Sequence, residues 1–206
     1  MDRIEKLPLG ETGNADTHSA FLTLCSSAAT PFKLASHPNT MNLICPTFLM
    51  QCRDDGGTGF FGGGVDEGES LKAGALREFY EETGFRFQHP VELISSYLCT
   101  NAAGKTRSSH LFAAEVSFEF LLDMVVQITS HMRREFNESH GTKLVATYIK
   151  PGSDRGMPYL MRTPMPPSAG EHVLDLIGHY KFMKPEEQVF LRDVFDTRLP
   201  TPVYRP

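Results

Sequence analysis

One segment near the middle of the chain constrains the fold more than any other. A run of three glycines, 62–64, leads through a short acidic loop into a helix-forming stretch that is closed by Gly84. Glycine allows close approach of the backbone to other groups, and it readily takes the left-handed conformation that ends a helix. The segment therefore predicts a loop–helix–loop unit, with the helix running from Ser70 to about Thr83.

The predicted helix carries a row of carboxylates. Glu78 and Glu82 lie one turn apart on the same face, and Glu81 lies beside them. Like charges at this spacing destabilise a helix by about 0.2–0.5 kcal/mol per pair, so the row favours a bound group that neutralises it. Arg77 is placed to pair with Glu81 or Glu69 and to orient the acids. The pattern indicates Mg²⁺ or Mn²⁺ holding a diphosphate while an activated water attacks phosphorus.

A solvated acidic helix face is the alternative interpretation of this row. It is disfavoured because Leu76 and Phe79 would anchor the helix to a core and direct the acids toward the preceding loop. A solvated face also has no need of an arginine that fixes its carboxylates.

The segment resembles the signature of the Nudix hydrolases, in which glycine, glutamate, an Arg-Glu pair, a Glu-Glu pair and a final glycine recur at fixed spacing. The matching residues are Gly63, Glu69, Arg77, Glu78, Phe79, Glu81, Glu82, Gly84 and Phe85. The resemblance implies an α/β protein: a Nudix α/β/α sandwich with a mixed β-sheet and a loop–helix–loop catalytic motif. It also implies hydrolysis of a nucleoside diphosphate linked to another group, with Mg²⁺ or Mn²⁺.

The same resemblance assigns roles to residues of this chain. The family's metal-binding carboxylates fall on Glu78, Glu81 and Glu82. Glu81 or Glu82 would position or deprotonate the water, and Arg77 would be part of the catalytic group. A carbonyl of Gly62 or Gly63 would complete the metal shell.

Residues on either side of this segment resemble one branch of the family, which removes caps from small nucleolar and messenger RNA and cleaves inosine diphosphate. The resemblance rests on residues 48–53, 59–63 and 168–176. It implies substrate contacts at His18, Arg53, Phe60 and His172, and a metal-ligand position at Asp175. Glutamine is usual at the position of His172 and glutamate at that of Asp175, and the shorter Asp175 leaves open a water bridge to the metal.

The chemistry of these side chains suits a purine nucleotide. Phe60 can stack on a base, Arg53 can bind a phosphate or a purine carbonyl, and His18 can donate to the hypoxanthine oxygen. Each has a structural alternative: Phe60 as a core residue, Arg53 as a partner of Asp54, and His18 as a surface or core histidine. Asp175 has the alternative of an ordinary exposed helix residue.

Two departures from the branch concern the loop and the next strand. Phe61 stands where the branch commonly has proline, which we expect to loosen the loop. The strand after the signature lacks the branch's histidine, and His110 on the following strand is the candidate substitute.

The rest of the chain divides into alternating elements. Residues 1–17 are polar, and we expect them to lie loosely on the surface as an extension of a domain spanning 18–196, with a tail at 197–206. Strands are predicted at 18–26, 42–52, 91–99, 107–116 and 143–150. Further helices are predicted at 118–132, 168–180 and 185–195.

Composition limits the function classes. The formal net charge of -5 excludes a generic basic protein that coats nucleic acid. Four cysteines without CxxC spacing predict free thiols in a reducing compartment. The N-terminus has neither a secretory signal nor a transit pattern, and no apolar run reaches the roughly 18 residues of a membrane span. We expect a cytosolic or nuclear protein with no membrane partner.

Three functions are compatible with these features. The leading hypothesis is a metal-dependent Nudix hydrolase of capped RNA, of inosine or guanosine di- and triphosphates, or of both. The second keeps the chemistry but takes ADP-ribose, NADH or coenzyme A, and the third is an inactive Nudix-fold protein that binds RNA. The branch resemblance also implies a homodimer through the helices at 118–132 and 168–180.

Overall fold

A computed structural model describes residues 3–28, 45–53, 56–132, 139–149 and 156–197 of the chain. In chain order, its elements are β1 (Arg3–Leu7), β2 (Thr17–Ser26), β3 (Thr47–Arg53), β4 (Thr58–Gly59), β5 (Phe61–Gly64), α1 (Leu71–Thr83), β6 (Glu92–Thr100), β7 (Thr106–Glu115), α2 (Phe118–Met132), β8 (Ser139–Ala146), α3 (Met157–Arg162), α4 (Ala169–His179) and α5 (Pro185–Asp196).

The strands form one mixed sheet. Its order is β1-β6-β7-β2-β3-β4, with β5 also pairing with β2 and β8 with β3. The pairing of β2 with β7 is parallel and runs in register from Thr17–Arg107 to Cys25–Glu115, whereas the other strand pairs are antiparallel. The prediction of a mixed sheet is therefore confirmed.

Helices cover both faces of this sheet because alternate strand residues point to opposite sides. On β2, Ala20, Leu22 and Leu24 belong to a core with α1 and α2, which we call the α1 face. Cys25 and Phe21 pack in a second core with α3, α4 and α5, which we call the α4 face. The two layers confirm the predicted α/β/α sandwich.

The prediction that residues 1–17 lie loosely on the surface is wrong. Residues Arg3–Leu7 form β1 and pair with Ser96–Thr100 of β6. Residues 3–7 lack a clear strand pattern because β1 is an edge strand, where charged residues are tolerated on exposed positions. The sheet therefore begins before residue 18, and the division of the chain at residues 18 and 196 stays a prediction.

Other elements agree with the sequence, with shifts at their ends. The structure confirms the predicted helices α1, α2, α4 and α5 and the strands β2, β6 and β7. Strand β8 begins and ends about four residues before the predicted 143–150, and Pro46 precedes β3 rather than lying within it. The short elements β4, β5 and α3 were not predicted.

Helix α4 is packed into its own chain. Its buried residues include Val173, Leu176 and Ile177, all at 0% exposure, so this helix offers little apolar surface for a dimer. Helix α2 keeps Leu122 and Val126 exposed, and the homodimer stays a prediction. No helix in the described part of the chain is long and apolar enough to cross a membrane. The four cysteines are free thiols.

Candidate active site

Helix α1 has the boundaries that the sequence predicts. Ser70 caps its N-terminus by accepting the amide of Ala73, and Gly84 ends it in the left-handed conformation, with φ of 69°. Phe79 of α1 packs edge-on against Phe61 of β5, with ring centroids 5.5 Å apart. Phe61, which stands at the proline position, thus packs the loop against the helix, and the expected loosening stays a prediction.

The carboxylate of Glu82 is held by two donors. The amide of Gly62 donates to Oε2 at 2.8 Å, and Gln51 Nε2 donates to Oε1 at 3.2 Å. Gln51 is buried and also donates to the carbonyl of Phe60 at 2.9 Å. Sequence reasoning missed Gln51, although a lone amide in the apolar strand 47–52 was a usable signal.

Glu78 lies directly against the glycine strand β5. A Cβ atom placed on Gly63 would be 2.6 Å from Glu78 Oε2, which is closer than real Cβ contacts allow. Gly62 has φ of 142°, and a Cβ there would be 2.3 Å from the carbonyl of Ala20. Both glycines are therefore required by close approach, one to the carboxylate and the other to the neighbouring strand.

Arg77 is the hub of the acidic cluster. Its guanidinium donates to both oxygens of Glu69 at 3.2 and 3.1 Å, and to the carbonyl of Gly64 at 2.7 Å. It also donates to Glu78 at 3.0 Å and to Glu81 at 3.3 Å. The hydrogen bonds from Arg77 lower the pKa of Glu69. The predicted pairing of Arg77 is confirmed, with Glu69 and Glu81 together.

The acids suit a divalent cation by their chemistry. Within the described ranges, no three His, Cys, Asp or Glu side chains already surround one point as metal ligands. Carboxylates and backbone carbonyls are nevertheless the oxygen donors that Mg²⁺ and Mn²⁺ prefer. The Glu81 side chain is 55% exposed, and among the described residues Arg77 is its one side-chain partner, so it has room to turn toward an ion. Gly62 offers its amide to Glu82, and the predicted metal role of its carbonyl is not tested.

His18 lies at the start of β2 on the α1 face. Its Nδ1 is 2.8 Å from Ser108 Oγ, and its carbonyl accepts the amide of Val65 at the end of the glycine strand. The ring is half-buried, which leaves room for a substrate contact. His110 is buried, with Ser96 and Ser108 bound to its two ring nitrogens, so it is not a free metal ligand.

His172 lies on the other face of the sheet, on α4. Its Nδ1 is 2.6 Å from Ser95 Oγ, its Nε2 is 2.9 Å from Ser109 Oγ, and Ser109 in turn bonds Ser168 at 2.8 Å. The residue is only 1% exposed, and burial lowers its pKa to about 3. The predicted substrate contact of His172 is not made by this geometry, because its ring nitrogens face the serines.

Phe60 and Arg53, the other two predicted substrate contacts, differ in burial: Phe60 is buried, whereas Arg53 is partly exposed. Phe60 is 3% exposed and packs against Phe48 and His172, so its ring has no free face for a base and the core alternative holds. Arg53 lies at the end of β3, where its Cδ would be 3.2 Å from a Cβ on Gly59. Its alternative partner, Asp54, lies outside the described residues.

Asp175 is engaged on the α4 face. Lys6 Nζ donates to Oδ1 at 2.7 Å and Tyr97 donates to Oδ2 at 2.6 Å. The structure thus groups Asp175 with β1 and β6 rather than with the acids of α1. A metal at Asp175 would have to displace the ammonium group of Lys6, and this assignment has no geometric support.

A cavity of about 340 Å³ opens beside the start of β2. Its walls include Phe21, Lys105, Arg107, Ser109 and Ser168. The last two serines belong to the hydrogen-bonded chain of His172, so this buried histidine reaches the cavity only through hydroxyl groups.

Comparison with known families decides the family of the chain. The family model of the NUDIX domain matches residues 42–146, about half of the 206 residues. The chain belongs to the Nudix family. The resemblance drawn from the glycine loop and the glutamate row is thereby confirmed.

A curated relative points the same way. The U8 snoRNA-decapping enzyme of Homalodisca vitripennis is 32% identical over 118 residues, which are 56% of this chain and 62% of that protein. The chain thus matches less than two thirds of the relative's length. Together with the family model, this relative supports the prediction of a Nudix pyrophosphohydrolase.

Solved structures share the fold. The chain resembles NrtR of Shewanella oneidensis with a TM-score of 0.53 and 13% identity, over 91% of this chain and 81% of that one. It resembles the pyrophosphohydrolase BsRppH of Bacillus subtilis with a TM-score of 0.50 and 13% identity, over 88% and 94%. At these identities, the likeness concerns the Nudix fold alone.

Proposed function

We propose that the chain is a metal-dependent Nudix hydrolase that cleaves the diphosphate linkage of capped RNA, of purine nucleoside di- and triphosphates, or of both. The observation that carries this proposal is the fixed position of two carboxylates against β5. Glu82 accepts the amide of Gly62 at 2.8 Å, and Glu78 occupies the space that a side chain on Gly63 would fill. Nudix hydrolases generally use divalent metal ions, and these acids supply the ligands that such ions prefer.

We assign different roles to the three carboxylates because their surroundings differ. Glu78 and Glu82 are held in place, so we assign them to the metal, with Mg²⁺ or Mn²⁺ as the ion. Such an ion, when bound, would neutralise charge at the phosphates and lower the pKa of a bound water. The Glu81 side chain is 55% exposed, and its carboxylate would orient the attacking water and accept its proton. Arg77 orients Glu78 and Glu81 by donating to both, while Glu69 anchors its guanidinium.

The substrate assignment rests on similarity and on the surroundings of the site. The decapping relative favours capped RNA, and the branch resemblance favours inosine nucleotides. His18 and Arg53 offer nitrogen donors to oxygens of a substrate. A cytosolic or nuclear location and a homodimer belong to the same proposal.

The test is a substrate panel with Mg²⁺ or Mn²⁺. It contains inosine and guanosine di- and triphosphates, capped RNA, ADP-ribose, NADH and coenzyme A, each assayed with the wild type and Glu82→Gln. Glu67→Gln is the matched control, because Glu67 is an exposed acid of the same loop. We expect metal-dependent turnover of capped RNA or inosine nucleotides that Glu82→Gln lowers at least about 100-fold and Glu67→Gln leaves unchanged.

Other results would change the proposal in defined ways. Turnover confined to ADP-ribose, NADH or coenzyme A would keep the mechanism and overturn the substrate class. Absence of metal-dependent turnover throughout the panel would overturn the enzyme proposal in favour of an RNA-binding Nudix fold.

A further inference from the structure

A continuous chain of hydrogen bonds ends at His18. Ser96 Oγ lies 3.2 Å from the amide nitrogen of Gly10 and 2.9 Å from His110 Nδ1. Ser108 Oγ lies 2.9 Å from His110 Nε2 and 2.8 Å from His18 Nδ1. We call these five groups, from the Gly10 amide to the His18 ring, the His18 relay.

The first group fixes the direction of the relay. A backbone amide can only donate, so Ser96 Oγ accepts from Gly10. Ser96 is 0% exposed, and its hydroxyl proton needs an acceptor of its own. Among the described residues, that acceptor is His110 Nδ1. Ser96 therefore donates to His110.

His110 continues the same donor-to-acceptor order. Its side chain is 0% exposed, and burial together with the nearby His18 lowers its pKa to about 4, so the ring is neutral at neutral pH. Because Nδ1 accepts, the single ring proton is on Nε2 and is donated to Ser108. Ser108 is also 0% exposed, and its own proton goes to His18 Nδ1.

We propose that the relay holds His18 as the Nε2–H tautomer, so that His18 presents a fixed hydrogen-bond donor to the substrate. This inference rests on the proposed function, which puts His18 at the nucleotide. The Nε2–H of His18 can donate to an oxo group, whereas an amino group would place a second N–H donor opposite it without an acceptor. Among purines, it therefore favours those with oxygen at position 6, as in inosine and guanosine, over adenosine. Ser96, His110 and Ser108 are positioning residues in this account.

The opposite tautomer has an identifiable cost. If His18 carried its proton on Nδ1, it would donate to Ser108, Ser108 to His110, and His110 to Ser96. The buried proton of Ser96 would then have no acceptor within the described part of the chain. A buried donor without a partner disfavours its state by about tenfold or more. Removal of the Ser96 hydroxyl removes this bias.

The direct test is ¹⁵N NMR of the histidine rings in the full chain, with the His18 signals assigned by their loss in His18→Gln. In the wild type, we expect His18 and His110 to show unprotonated Nδ1 and protonated Nε2. In Ser96→Ala, we expect a measurable Nδ1–H fraction at both rings, and Ser96→Thr should restore the wild-type pattern. Ser95→Ala is the matched control, since Ser95 is the adjacent residue and bonds His172 on the other face.

The result against the proposal is equally concrete. A wild-type His18 with Nδ1 protonated, or a pattern unchanged by Ser96→Ala, would overturn the relay. Should Ser96→Ala fail to fold, Ser108→Ala provides the second variant, because it removes the donor to His18 directly. These readings need no turnover, so they are distinct from any failure of the proposed function.

The predicted preference for 6-oxo purines is tested by a separate measurement. We expect kcat/KM for inosine diphosphate relative to adenosine diphosphate to fall about fivefold in Ser96→Ala and to stay unchanged in Ser95→Ala. An unchanged ratio in Ser96→Ala, with the tautomer shifted as predicted, would overturn the assignment of the purine 6-position to His18.

Discussion

The two faces of the sheet each carry a chain of serines and histidines, and the two chains differ in what begins them. The His18 relay begins at the amide of Gly10, which can only donate. The α4 face carries a second chain of hydrogen bonds, which we call the His172 chain and which consists of Ser95, His172, Ser109 and Ser168. Each of these side chains can act either as a donor or as an acceptor. One chain therefore has a set direction, whereas the other can run either way.

Their surroundings differ as well. The His18 relay ends at a half-buried residue whose carbonyl accepts the amide of Val65, directly after the glycine strand. The His172 chain is closed over by α4, and only its last two serines touch the cavity. Serine and histidine side chains thus provide a fixed hydrogen-bond donor at the proposed substrate contact His18 on one face. On the opposite face, they form hydrogen bonds that hold α4 against the sheet. The following predictions test this division.

The largest effect is expected on the α1 face. In Gly63→Ala, the new Cβ would meet Glu78 Oε2 at 2.6 Å and push the carboxylate out of place. Displacement of a catalytic group by about 1 Å costs about 100-fold in rate, and we expect a loss of that size in kcat.

The matched control is Gly64→Ala, because a Cβ on Gly64 meets no atom within 4 Å. It should keep nearly full activity. Equal losses in the two variants would contradict the special role of the space at Gly63.

A change on the α4 face should affect stability instead. His172→Phe leaves the buried hydroxyls of Ser95 and Ser109 without their ring partner. We expect the free energy of unfolding to fall by about 2–4 kcal/mol in urea titrations. The kcat of the folded enzyme should change less than about threefold. A loss of kcat comparable to that of Gly63→Ala would show that His172 takes part in the chemistry.

The two buried histidines also predict a pH dependence of stability. The pKa values of His110 and His172 are about 4 and about 3 in the fold, below the ordinary 6.5. Between pH 6.5 and 4, the unfolded chain binds more protons, so the free energy of unfolding falls as the pH is lowered through this window.

Urea midpoints measured at pH 7 and pH 5 check this prediction. The decline should be smaller in His172→Phe, which removes one of the two titrating rings. An identical decline in the variant would contradict the assignment to His172.

The smallest effect is expected at the edge of the sheet. Lys6 and Asp175 form an ion pair at 2.7 Å, in which the Lys6 side chain is 59% exposed. Exposed pairs contribute about 0–1 kcal/mol, so Lys6→Ala should lower the free energy of unfolding by less than about 1 kcal/mol. A cost of several kcal/mol would show that β1 is needed to hold α4 in place.

The sequence was informative where local chemistry determines structure. Ser70 and Gly84 marked the ends of α1 correctly, because capping depends on neighbours in the chain. The spacing of Arg77 and the glutamates predicted their ion pairs, because these residues are also near one another along the chain.

What the sequence did not reveal depends on contacts between distant segments. Gln51 and Glu82 are brought together by the packing of α1 on the sheet that contains β3, which no local pattern encodes. Burial of Phe60 and His172 likewise follows from the position of α4 on the sheet. Strand β1 was not predicted because its stability comes from pairing with the distant strand β6, from Arg3–Thr100 to Leu7–Ser96, rather than from an apolar pattern of its own.

The most direct test of the central claim, that metal and chemistry belong to the α1 face, is Mn²⁺ binding measured for matched acid variants. Glu82→Gln and Asp175→Asn each replace one carboxylate by its amide, on opposite faces of the sheet. We predict that Glu82→Gln weakens Mn²⁺ binding at least about tenfold and abolishes turnover, whereas Asp175→Asn leaves both within about twofold. Loss of Mn²⁺ binding in Asp175→Asn, with Glu82→Gln unaffected, would contradict the account.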